Sequence, residues 1–484
     1  MIFTPALNWI NGEWIDSGIH KESINPATGE VIALYADGGE SEALAAIEAA
    51  SSAFESSAWR SDRVLRARAL NELADLFDQH SEALIEAVVR ENGKTRYEAG
   101  FEVSMNSPKL RYYASLVRTS YGRSVQPDAG KLSVVLPEPI GVSGIVVPWN
   151  APTVLLVRSL APALAAGTAA VAKMPAQTAQ VNAMLANLIS QVKSLPRGIV
   201  NLFTESGDAG ARKLVDSPHV PVISFTGSTH VGRAIASAGA RQLKRLNLEL
   251  GGKTPMIVFD DADLDKVIPT LEKGITVFAG QFCMAGSRIL VQRGIAQKVA
   301  RLLKERLEVV KVGPGSDPAS DMGPLINKDA VIRVNTEVEK AIAQGATVIV
   351  RGGPSSDQRL ASGAFYQPTL LEVHDSSADI VQTETFGPVA TLEVFDTEAD
   401  AVALANATEF GLAASIWTSD VDRPWRVGRA IAAGTIWINQ WAVIYDEMEE
   451  GGQKQSGIGR LNGVAALDPF TEYKHFTISH GSQL

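Results

Sequence analysis

The feature that most constrains the fold of this chain is an alternation, from about residue 140, of short apolar β-prone runs with segments of helical periodicity. Helical segments at 153–167, 177–193 and 229–240 separate the runs GVSGIVV, AAVAKM, GIVNLF, PVISFTG and RLNLEL. This alternation is typical of a parallel, doubly wound sheet. Such a sheet binds its ligands at the carboxyl ends of its strands.

A second alternating series begins at TPMIVF, residues 254–259, and continues through 289–310, ATVIV and VATLEVF. The chain is therefore predicted to contain two α/β domains, joined near the double glycine at 251–252. The first quarter is predicted to be rich in helix, because residues 61–92 place apolar side chains at helical spacing, with Ser61 and Ser81 as N-caps.

Residues 121–139, YGRSVQPDAGKLSVVLPEP, are predicted to form a β-hairpin with its turn at PDAGK. A two-stranded hairpin is marginally stable alone, so we expect it to pair with another segment. The glycine-rich stretch at 456–463, SGIGRLNG, is predicted to be a turn because no strand pattern precedes it.

Charge and composition exclude several classes of protein. The chain has 484 residues, 45% of them hydrophobic, and a formal net charge of −10, so a large core is expected and attraction to phosphate backbones is not. The start, MIFTPALNWINGEWIDSG, lacks the features of a signal peptide, and charge, Pro or Gly interrupts the apolar runs elsewhere. We expect a soluble, cytoplasmic protein with neither nucleic-acid nor membrane partners.

The only cysteine, Cys283, lies in VFAGQFCMAGSR, between Gly280 and Gly286. A lone cysteine is usually a small buried hydrophobe. The flanking glycines instead favour a backbone turn that a small substrate can approach closely. A single cysteine also fits a reducing compartment, because it forms no internal disulfide.

Three further stretches carry candidate chemistry. Asn150, in VVPWNAP, follows a predicted strand and could donate a hydrogen bond to an oxyanion, although Asn at such a position is usually a turn or cap residue. Glu249, in LELGGK, could act as a general base or could be an ordinary salt-bridged carboxylate. FTGSTHVG places Gly227 and Gly232 between a strand and a helix, where a pyrophosphate could approach.

These stretches are more specific together than singly. PWN, FTGS, LELGG, GQFC and ETFGPV occur in this order, with Glu249 and Cys283 thirty-four residues apart. In this respect the chain resembles the aldehyde dehydrogenase superfamily. The resemblance runs nearly end to end and includes NPATGE (25–30), GPL (323–325), NATEFGLAASIWT (406–418), GTIWIN (434–439) and KQSGIGR (454–460).

The resemblance implies an NAD(P)-dependent, non-acylating enzyme with a Rossmann-like cofactor domain, a catalytic domain and a small β arm. By this likeness, residues 1–121 and 140–251 form the dinucleotide-binding domain and 252–455 the catalytic domain. Residues 122–139 and 456–484 are the expected oligomerisation segments of a homodimer or homotetramer.

The resemblance also assigns catalytic roles. Cys283 attacks the aldehyde to give a thiohemiacetal, and Asn150 with the Cys283 backbone N–H holds the oxyanion. Glu249 activates the water that hydrolyses the thioester, which favours hydrolysis over transfer to coenzyme A. No metal site is expected, because there is no second cysteine and no cluster of histidines.

NAD is the implied cofactor, with NADP possible. Many NAD-preferring members carry a Glu where this chain has Ala176, in KMPAQ; its loss removes a ribose ligand and a source of repulsion toward a 2′-phosphate. Dual use of NAD and NADP, or NAD held without that Glu, are both open. The implied cofactor-binding residues are Val146, Pro148, Trp149, Lys173, Ala176, Gly207, Phe225, Gly227, Ser228, Leu250, Glu384 and Phe386.

The implied aldehyde pocket is mostly apolar and predicts an apolar aliphatic or aromatic aldehyde, with a semialdehyde or aminoaldehyde as the alternative. Two features depart from the family pattern: Glu449 and Glu450 replace Pro and an aromatic residue, and Arg158 replaces an apolar side chain. Arg158 either pairs with a Glu of this acidic loop or contacts a phenolate or carboxylate of the aldehyde. The implied pocket residues are Ala151, Val154, Leu155, Arg158, Phe282, Met284, Trp441 and Ile444.

Two other classes of protein compete with this interpretation. A cysteine hydrolase or acyltransferase would need a His base, and none of the seven histidines lies in a recognisable motif. A catalytically inactive binding protein would have no need of Cys283, Glu249, Asn150 and Glu384 together.

Overall fold

Two large sheets dominate the computed structural model, which describes residues 5–119 and 121–480. The α-helices are α1 Glu40–Ser56, α2 Arg63–Gln79, α3 Ser81–Asn92, α4 Arg96–Ser104, α5 Asn106–Thr119, α6 Pro152–Ala166, α7 Ala179–Ser190, α8 Ala209–Asp216, α9 Thr229–Gly239, α10 Leu264–Thr276, α11 Ala296–Leu307, α12 Lys328–Ala343, α13 Asp379–Gln382, α14 Glu398–Asn406 and α15 Arg423–Ala430.

The strands follow the chain in this order: β1 Asn8–Ile10, β2 Glu13–Ile15, β3 His20–Ile24, β4 Val31–Ala36, β5 Arg123–Val125, β6 Lys131–Pro139, β7 Val142–Val146, β8 Ala169–Pro175, β9 Val200–Glu205, β10 Val222–Thr226, β11 Arg245–Glu249, β12 Pro255–Val258, β13 Arg288–Gln292, β14 Thr347–Val350, β15 Gly353–Pro354, β16 Tyr366–Gln367, β17 Thr369–Glu372, β18 Val389–Phe395, β19 Phe410–Gly411, β20 Ala413–Trp417, β21 Thr435–Ile438, β22 Gln453–Lys454, β23 Gly457–Ile458 and β24 Thr471–Ser479.

The first sheet has the order β2-β1-β9-β8-β7-β10-β11-β23. Its five central strands, β9, β8, β7, β10 and β11, are parallel. The short β1 pairs antiparallel with β9, and the short β23 pairs antiparallel with β11. Every residue of β7 and β10 is buried, as expected for strands covered by helices on both faces.

The second sheet has the order β14-β17-β18-β13-β12-β20-β21 and is parallel except for the edge strand β14. The predicted fold class, two doubly wound α/β sheets, is therefore confirmed. The four strands β1 to β4 were not predicted, because strands of three to six residues show too little alternation to stand out in the sequence.

The small third sheet has the order β24-β6-β5. The hairpin predicted at 121–139 is present as β5 and β6, and β24 pairs antiparallel with β6 along its whole length, from Thr471 opposite Pro139 to Ser479 opposite Lys131. This sheet exposes several large apolar side chains: Val125, Leu136, Tyr473, Phe476 and Ile478.

Three local predictions need correction. The N-cap of α2 is Asp62, whose side chain accepts a hydrogen bond from the Leu65 N–H at 2.9 Å, so Ser61 lies outside the helix. Ser81 is the first residue of α3 and His80 its N-cap. Residues 457–458, predicted as part of a turn, instead add β23 to the first sheet beside β11.

The helix α6 is the central helix of the first core, and every residue from Pro152 to Ala165 is buried. Its length is 15 residues, and no helix in the described ranges is both long and apolar enough to cross a bilayer. The burial of the whole helix places one charged side chain, Arg158, inside the protein.

Candidate active site

The register of the first sheet aligns four predicted site residues at the carboxyl ends of adjacent strands. Val146 on β7 lies opposite Lys173 on β8 and opposite Phe225 on β10. The next pair in the row is Thr226 on β10 opposite Glu249 on β11. These residues therefore occupy the edge at which a doubly wound sheet binds its ligands.

Cys283 lies in the loop before β13, and its side chain is half-buried. The loop packs directly on the LELGG segment: a Cβ added at Gly252 would lie 2.3 Å from the Cys283 carbonyl oxygen, so no larger residue fits there. The preceding residues Phe278, Ala279 and Gly280 have φ values of 50°, 52° and 72°, which turn the chain sharply toward the cysteine.

A cavity of about 770 Å³ opens beside Cys283. Asn150 also lines it, and the Asn150 Nδ2 donates one hydrogen bond to the Gln281 carbonyl at 3.1 Å, which leaves the second amide hydrogen for a ligand. The buried Lys94 ammonium donates to the Asn150 carbonyl oxygen at 2.6 Å and fixes this turn. The cavity thus brings the predicted nucleophile and oxyanion donor together.

Seven of the eight predicted pocket residues line this cavity: Ala151, Val154, Leu155, Arg158, Phe282, Trp441 and Ile444. Met284 is the exception and corrects the prediction. Its side chain is buried in a small core with Leu412 and Trp437, and its carbonyl oxygen accepts a hydrogen bond from the Trp441 indole N–H at 3.0 Å. Met284 therefore supports the wall from behind.

Burial controls the protonation of the two predicted catalytic side chains. It raises the pKa of the Cys283 thiol to about 12; the Arg158 guanidinium opposes this shift, and the carboxylates of Glu450 and Glu249 add to it. Burial likewise raises the pKa of Glu249 to about 8, again opposed by Arg158. At neutral pH, Glu249 is therefore mostly protonated.

Glu249 ends β11 below the glycines 451 and 452. Its Oε1 is buried and has no hydrogen-bond partner within the part of the chain that the structure describes. A Cβ at Gly451 would approach this oxygen to 3.0 Å, so a glycine there keeps the carboxylate free of crowding.

The other side of Cys283 holds the predicted cofactor residues. Glu384 accepts a hydrogen bond through Oε1 from the Gly252 N–H at 3.1 Å, and burial raises the pKa of its carboxyl to about 7. The rings of Trp149 and Phe386 pack edge to face, with centroids 5.6 Å apart. Ser228 caps α9 by accepting a hydrogen bond from the Val231 N–H at 3.4 Å.

The remaining cofactor residues surround the same strand ends. Pro148 follows β7, Gly227 follows β10, Leu250 follows β11, and the exposed Gly207 follows β9. The Lys173 cation on β8 suits the adenosine end of a dinucleotide, and the N-terminus of α9 suits its diphosphate. The Glu384 carboxylate suits the hydroxyls of a ribose. The residues present therefore fit a dinucleotide.

Ala176 begins the short 3₁₀ helix Ala176–Thr178 directly after β8. The two carboxylates that act most strongly on Lys173 by charge have other partners: Glu205 accepts from the Gly210 N–H at 2.6 Å and the Ala211 N–H at 3.2 Å, and Asp37 accepts from the Ser206 N–H at 2.7 Å. These bonds commit the Glu205 and Asp37 carboxylates to the protein.

A buried polar network in this cavity was not predicted from the sequence. Arg158 Nη1 donates to Glu450 Oε1 at 3.1 Å, and Glu450 Oε2 accepts from Asn462 Nδ2 at 3.0 Å. Asn462 Oδ1 accepts from Lys109 Nζ at 2.7 Å, and Lys109 also pairs with Asp446. The predicted Arg to Glu pair is thus present, as one link of a longer chain.

Lys109 and Asn462 gave only a weak signal in the sequence. Lys109 shares the buried face of α5 with Leu110 and Tyr113, where a lysine is unusual. Within residues 5–119 and 121–480, no group of three or more His, Cys, Asp or Glu side chains is arranged to hold a metal ion.

Comparison with known proteins identifies the family. A family model described as the aldehyde dehydrogenase family matches residues 14–476. The chain is 36% identical over 479 residues to 2-aminomuconic semialdehyde dehydrogenase of Danio rerio, covering 98% of each chain. It is also 36% identical over 473 residues to the NADP(+) succinate-semialdehyde dehydrogenase of Escherichia coli, covering 97% of each chain.

A solved structure agrees in fold. Betaine aldehyde dehydrogenase from Staphylococcus aureus, in complex with NAD+, superposes with a TM-score of 0.96 at 35% identity, covering 99% of this chain and 96% of the other. The expected resemblance is therefore confirmed over nearly the whole sequence, and this chain belongs to the aldehyde dehydrogenase family.

Proposed function

We propose that this aldehyde dehydrogenase uses Cys283 as its nucleophile, Asn150 as an oxyanion donor and Glu249 as the general base. The observation that carries this proposal is that Cys283 and Asn150 line one cavity, while Glu249 ends β11 three residues before Gly252, which packs against the Cys283 carbonyl. Each side chain has the chemistry that its role requires.

The first step is attack of the Cys283 sulfur on the aldehyde carbon. The nucleophile is the thiolate, which burial disfavours, so the step depends on the removal of the thiol proton. The carbonyl oxygen becomes an oxyanion, and the free Asn150 amide hydrogen with the Cys283 backbone N–H would hold it. The product is a thiohemiacetal on Cys283.

A nicotinamide dinucleotide, when bound, would supply the acceptor for the hydride that the thiohemiacetal must lose to become a thioester. Lys173 would hold the adenosine end, Ser228 and the start of α9 the diphosphate, and Glu384 the nicotinamide ribose. Both NAD and NADP are proposed, because Ala176 offers no carboxylate to repel a 2′-phosphate and the Escherichia coli relative is named for NADP(+).

Glu249 acts in the last step. Its deprotonated carboxylate takes a proton from water, the resulting hydroxide attacks the thioester carbon, and Cys283 leaves as a thiolate that recovers this proton, so the products are the carboxylic acid and the free thiol. The unpartnered Oε1 is the oxygen available for this water. Hydrolysis therefore needs no second thiol such as coenzyme A.

The walls of the cavity support an aldehyde with an apolar aliphatic or aromatic body. The rings of Phe278, Phe282 and Trp441 pack edge to face in a row, with centroids 5.7 Å and 6.0 Å apart. A cavity of about 770 Å³ has the size of a site for a substrate larger than a two- or three-carbon aldehyde.

The test of the proposed function is reduced-cofactor formation at 340 nm with a panel of aldehydes, with NAD and NADP in parallel. We expect signal with both cofactors, and a loss of at least about 10⁴-fold in kcat for Cys283→Ala, which removes the nucleophile. The control is dinucleotide binding by the variant, which should persist. A folded native protein that binds dinucleotide yet oxidises no aldehyde would indicate an inactive binding protein instead.

Assembly, compartment and domain roles complete the proposal. The exposed apolar side chains of the third sheet, such as Leu136 and Phe476, support a homodimer or homotetramer formed through this arm. Light scattering of native protein and of Phe476→Lys would test it, with dissociation of the variant as the expected result.

The lone cysteine supports a cytoplasmic location. The domain of the first sheet is proposed to bind the cofactor, and the domain of the second sheet is proposed to carry Cys283.

A further inference from the structure

Two turns from distant parts of the chain carry the groups that are proposed to react. The asparagine turn, residues 149–153, holds Asn150, and the cysteine turn, residues 277–283, ends at Cys283. The Asn150 Nδ2 donates to the Gln281 carbonyl oxygen at 3.1 Å and so joins the two turns directly. A single hydrogen bond sets a distance but not an orientation. Further contacts are therefore needed to fix the Asn150 amide relative to the Cys283 sulfur.

The ammonium of Lys94 contacts both turns. Its Nζ donates to the Asn150 carbonyl oxygen at 2.6 Å, and it lies 4.1 Å from the centroid of the Phe278 ring. A cation over an aromatic face is attracted to it, and more strongly where water is excluded. Water is excluded here, because the Lys94 side chain is only 2% exposed. One buried cation therefore ties the asparagine turn to the cysteine turn.

Two carboxylates on α4 complete this connection. Glu102 pairs with the Lys94 ammonium through Oε2, and its Oε1 accepts from the Thr153 N–H and hydroxyl, both at 2.8 Å. Glu98 accepts through Oε1 from the Phe278 N–H at 2.7 Å. Residues four apart are neighbours on one side of a helix, so α4 holds one turn with each carboxylate. We call Lys94, Glu98 and Glu102 the Lys94 cluster.

The cysteine turn needs such support because its backbone is strained. Phe278 and Ala279 have φ values of 50° and 52°, in the left-handed region that residues other than glycine rarely adopt. A strained conformation persists only where the surrounding contacts hold it. Glu98 holds the N–H of the first strained residue, and Lys94 holds its ring. Without these contacts the turn should relax and move Cys283 relative to Asn150.

Stability alone is a poor explanation for the buried pair of Lys94 and Glu102. Burial of two charges costs desolvation energy, and apolar side chains of similar volume are often at least as stabilising. The pair instead provides direction. It fixes the ammonium between a carbonyl oxygen of one turn and a ring of the other.

We propose that the Lys94 cluster consists of positioning residues, which hold the Asn150 amide at the distance from Cys283 at which it can donate to the oxyanion. This inference rests on the proposed function, because the cluster acts through the proposed oxyanion donor. Lys94 is not among the residues that line the aldehyde cavity, and it donates to the backbone of Asn150 rather than to a substrate.

The first test removes both charges of the ion pair, in the double variant Lys94→Met with Glu102→Gln. Both side chains keep nearly their size, and no buried ion is left alone. Rapid mixing measures reduced-cofactor formation in the first turnover, before thioester hydrolysis. At saturating aldehyde this rate should fall about 10- to 30-fold, because a small misplacement of a catalytic group can cost about 100-fold. The aldehyde concentration for half-maximal rate should change less than about twofold.

The second test asks whether the loss acts through Asn150. Asn150→Ala alone removes the proposed donor and should slow the first turnover by about 10²- to 10³-fold. In that background, the Lys94→Met and Glu102→Gln changes should cost less than about twofold, because no amide is left to misplace. A purely structural role would cost the same factor in both backgrounds, since independent effects add in free energy.

Lys244→Met is the matched control for stability. Lys244 is also buried and also donates to backbone carbonyl oxygens, those of Ser217 and Val220, at 2.5 Å each. It precedes β11, whereas Glu249 ends that strand, so it lies at the end of the sheet away from the site. This variant should lower the melting temperature and keep the first-turnover rate within about twofold of native.

A second pair of variants leaves the ion pair intact and decides the proposal if the double variant does not fold. Glu98→Ala removes the acceptor for the Phe278 N–H and should slow the first turnover about tenfold. Glu98→Gln keeps an oxygen that can accept from this N–H and should restore most of the rate.

Three results would overturn the inference. They are a native first-turnover rate in the folded double variant or in Glu98→Ala, a loss that persists undiminished in the Asn150→Ala background, and an equal loss of rate in Lys244→Met for the same fall in melting temperature. A native rate in Asn150→Ala itself would contradict the proposed oxyanion donor, and so the proposed function.

Discussion

The two sides of Cys283 hold their charged groups in different ways. On the cofactor side, carboxylates are fixed by backbone N–H groups: Glu384 by Gly252, and Glu205 by the first turn of α8. On the aldehyde side, Arg158, Glu450 and Lys109 are fixed mainly by other side chains, from segments up to about 350 residues apart in sequence. A carboxylate held by backbone N–H groups does not depend on which side chains lie beside it, whereas a site held by side chains depends on the identity of several distant residues.

Glu249 ends a strand of the first sheet and interacts with Arg158 and Glu450 on the aldehyde side. Its substitution should have the largest effect on turnover. Glu249→Gln removes the proposed base but keeps the size of the side chain, so hydrolysis of the thioester should slow by about 10²- to 10⁴-fold. Acylation should continue, because Cys283 and Asn150 remain. Rapid mixing should therefore show a burst of about one reduced cofactor per active site, followed by a slow steady rate.

The contrary result would be equally informative. A variant that shows neither burst nor turnover would place Glu249 in the activation of Cys283 as well. Asp→Asn substitution at the exposed Asp265 is a suitable control for handling and folding, since this residue lies on α10 outside both sides of the site.

The same contrast explains what could be predicted from the sequence. The sheets, the hairpin at 121–139 and seven of eight cavity residues were predictable, because each depends on local periodicity or on a short stretch that resembles the family. Met284 was expected to line the cavity but is buried behind its wall, because adjacency to Cys283 in sequence does not say which way a side chain points in a loop.

The network of Lys109, Asn462 and Asp446 was beyond prediction for a physical reason. Lys109 is unusual on the buried face of α5, but nothing in the sequence names its partners, and only the packing of α5 against the segment around residues 446–463 brings the three residues into contact. Arg158 was noticeable alone, as a charge in an apolar helix, but which of its nitrogen atoms binds Glu450 follows from three-dimensional packing.

The pH dependence of the hydrolysis rate should show that charges on the aldehyde side shift the pKa of Glu249 more than charges on the cofactor side. The expected effect is of intermediate size. Burial raises the pKa of Glu249 to about 8, and the Glu450 charge adds to the rise. The base works when deprotonated, so the hydrolysis rate should fall about tenfold per pH unit below that pKa. Glu450→Gln removes a negative charge, lowers the pKa of Glu249 and should move the rising limb to lower pH.

Glu384→Gln is the matched change on the cofactor side. The charged groups that shift the pKa of Glu249 most are Arg158, Glu450 and Arg460, so the rising limb should stay in place in Glu384→Gln while the KM for dinucleotide rises. If the rising limb of the pH profile moves equally in both variants, charges on the cofactor side and on the aldehyde side act equally on the pKa of Glu249. The two sides would then not differ in their electrostatic effect.

The smallest expected effect comes from a single position on the cofactor side, Ala176. Ala176→Glu adds a carboxylate beside Lys173, where Glu205 and Asp37 are already engaged by other groups. The new carboxylate can accept from a ribose hydroxyl and repels a 2′-phosphate, so the ratio of kcat/KM for NADP to that for NAD should fall about tenfold. Ala176→Gln, which accepts without repelling, should change the ratio less. Because Ala176 is not among the residues that line the aldehyde cavity, the preference among aldehydes should not change in either variant. A change in that preference would show that the two sides of Cys283 are coupled.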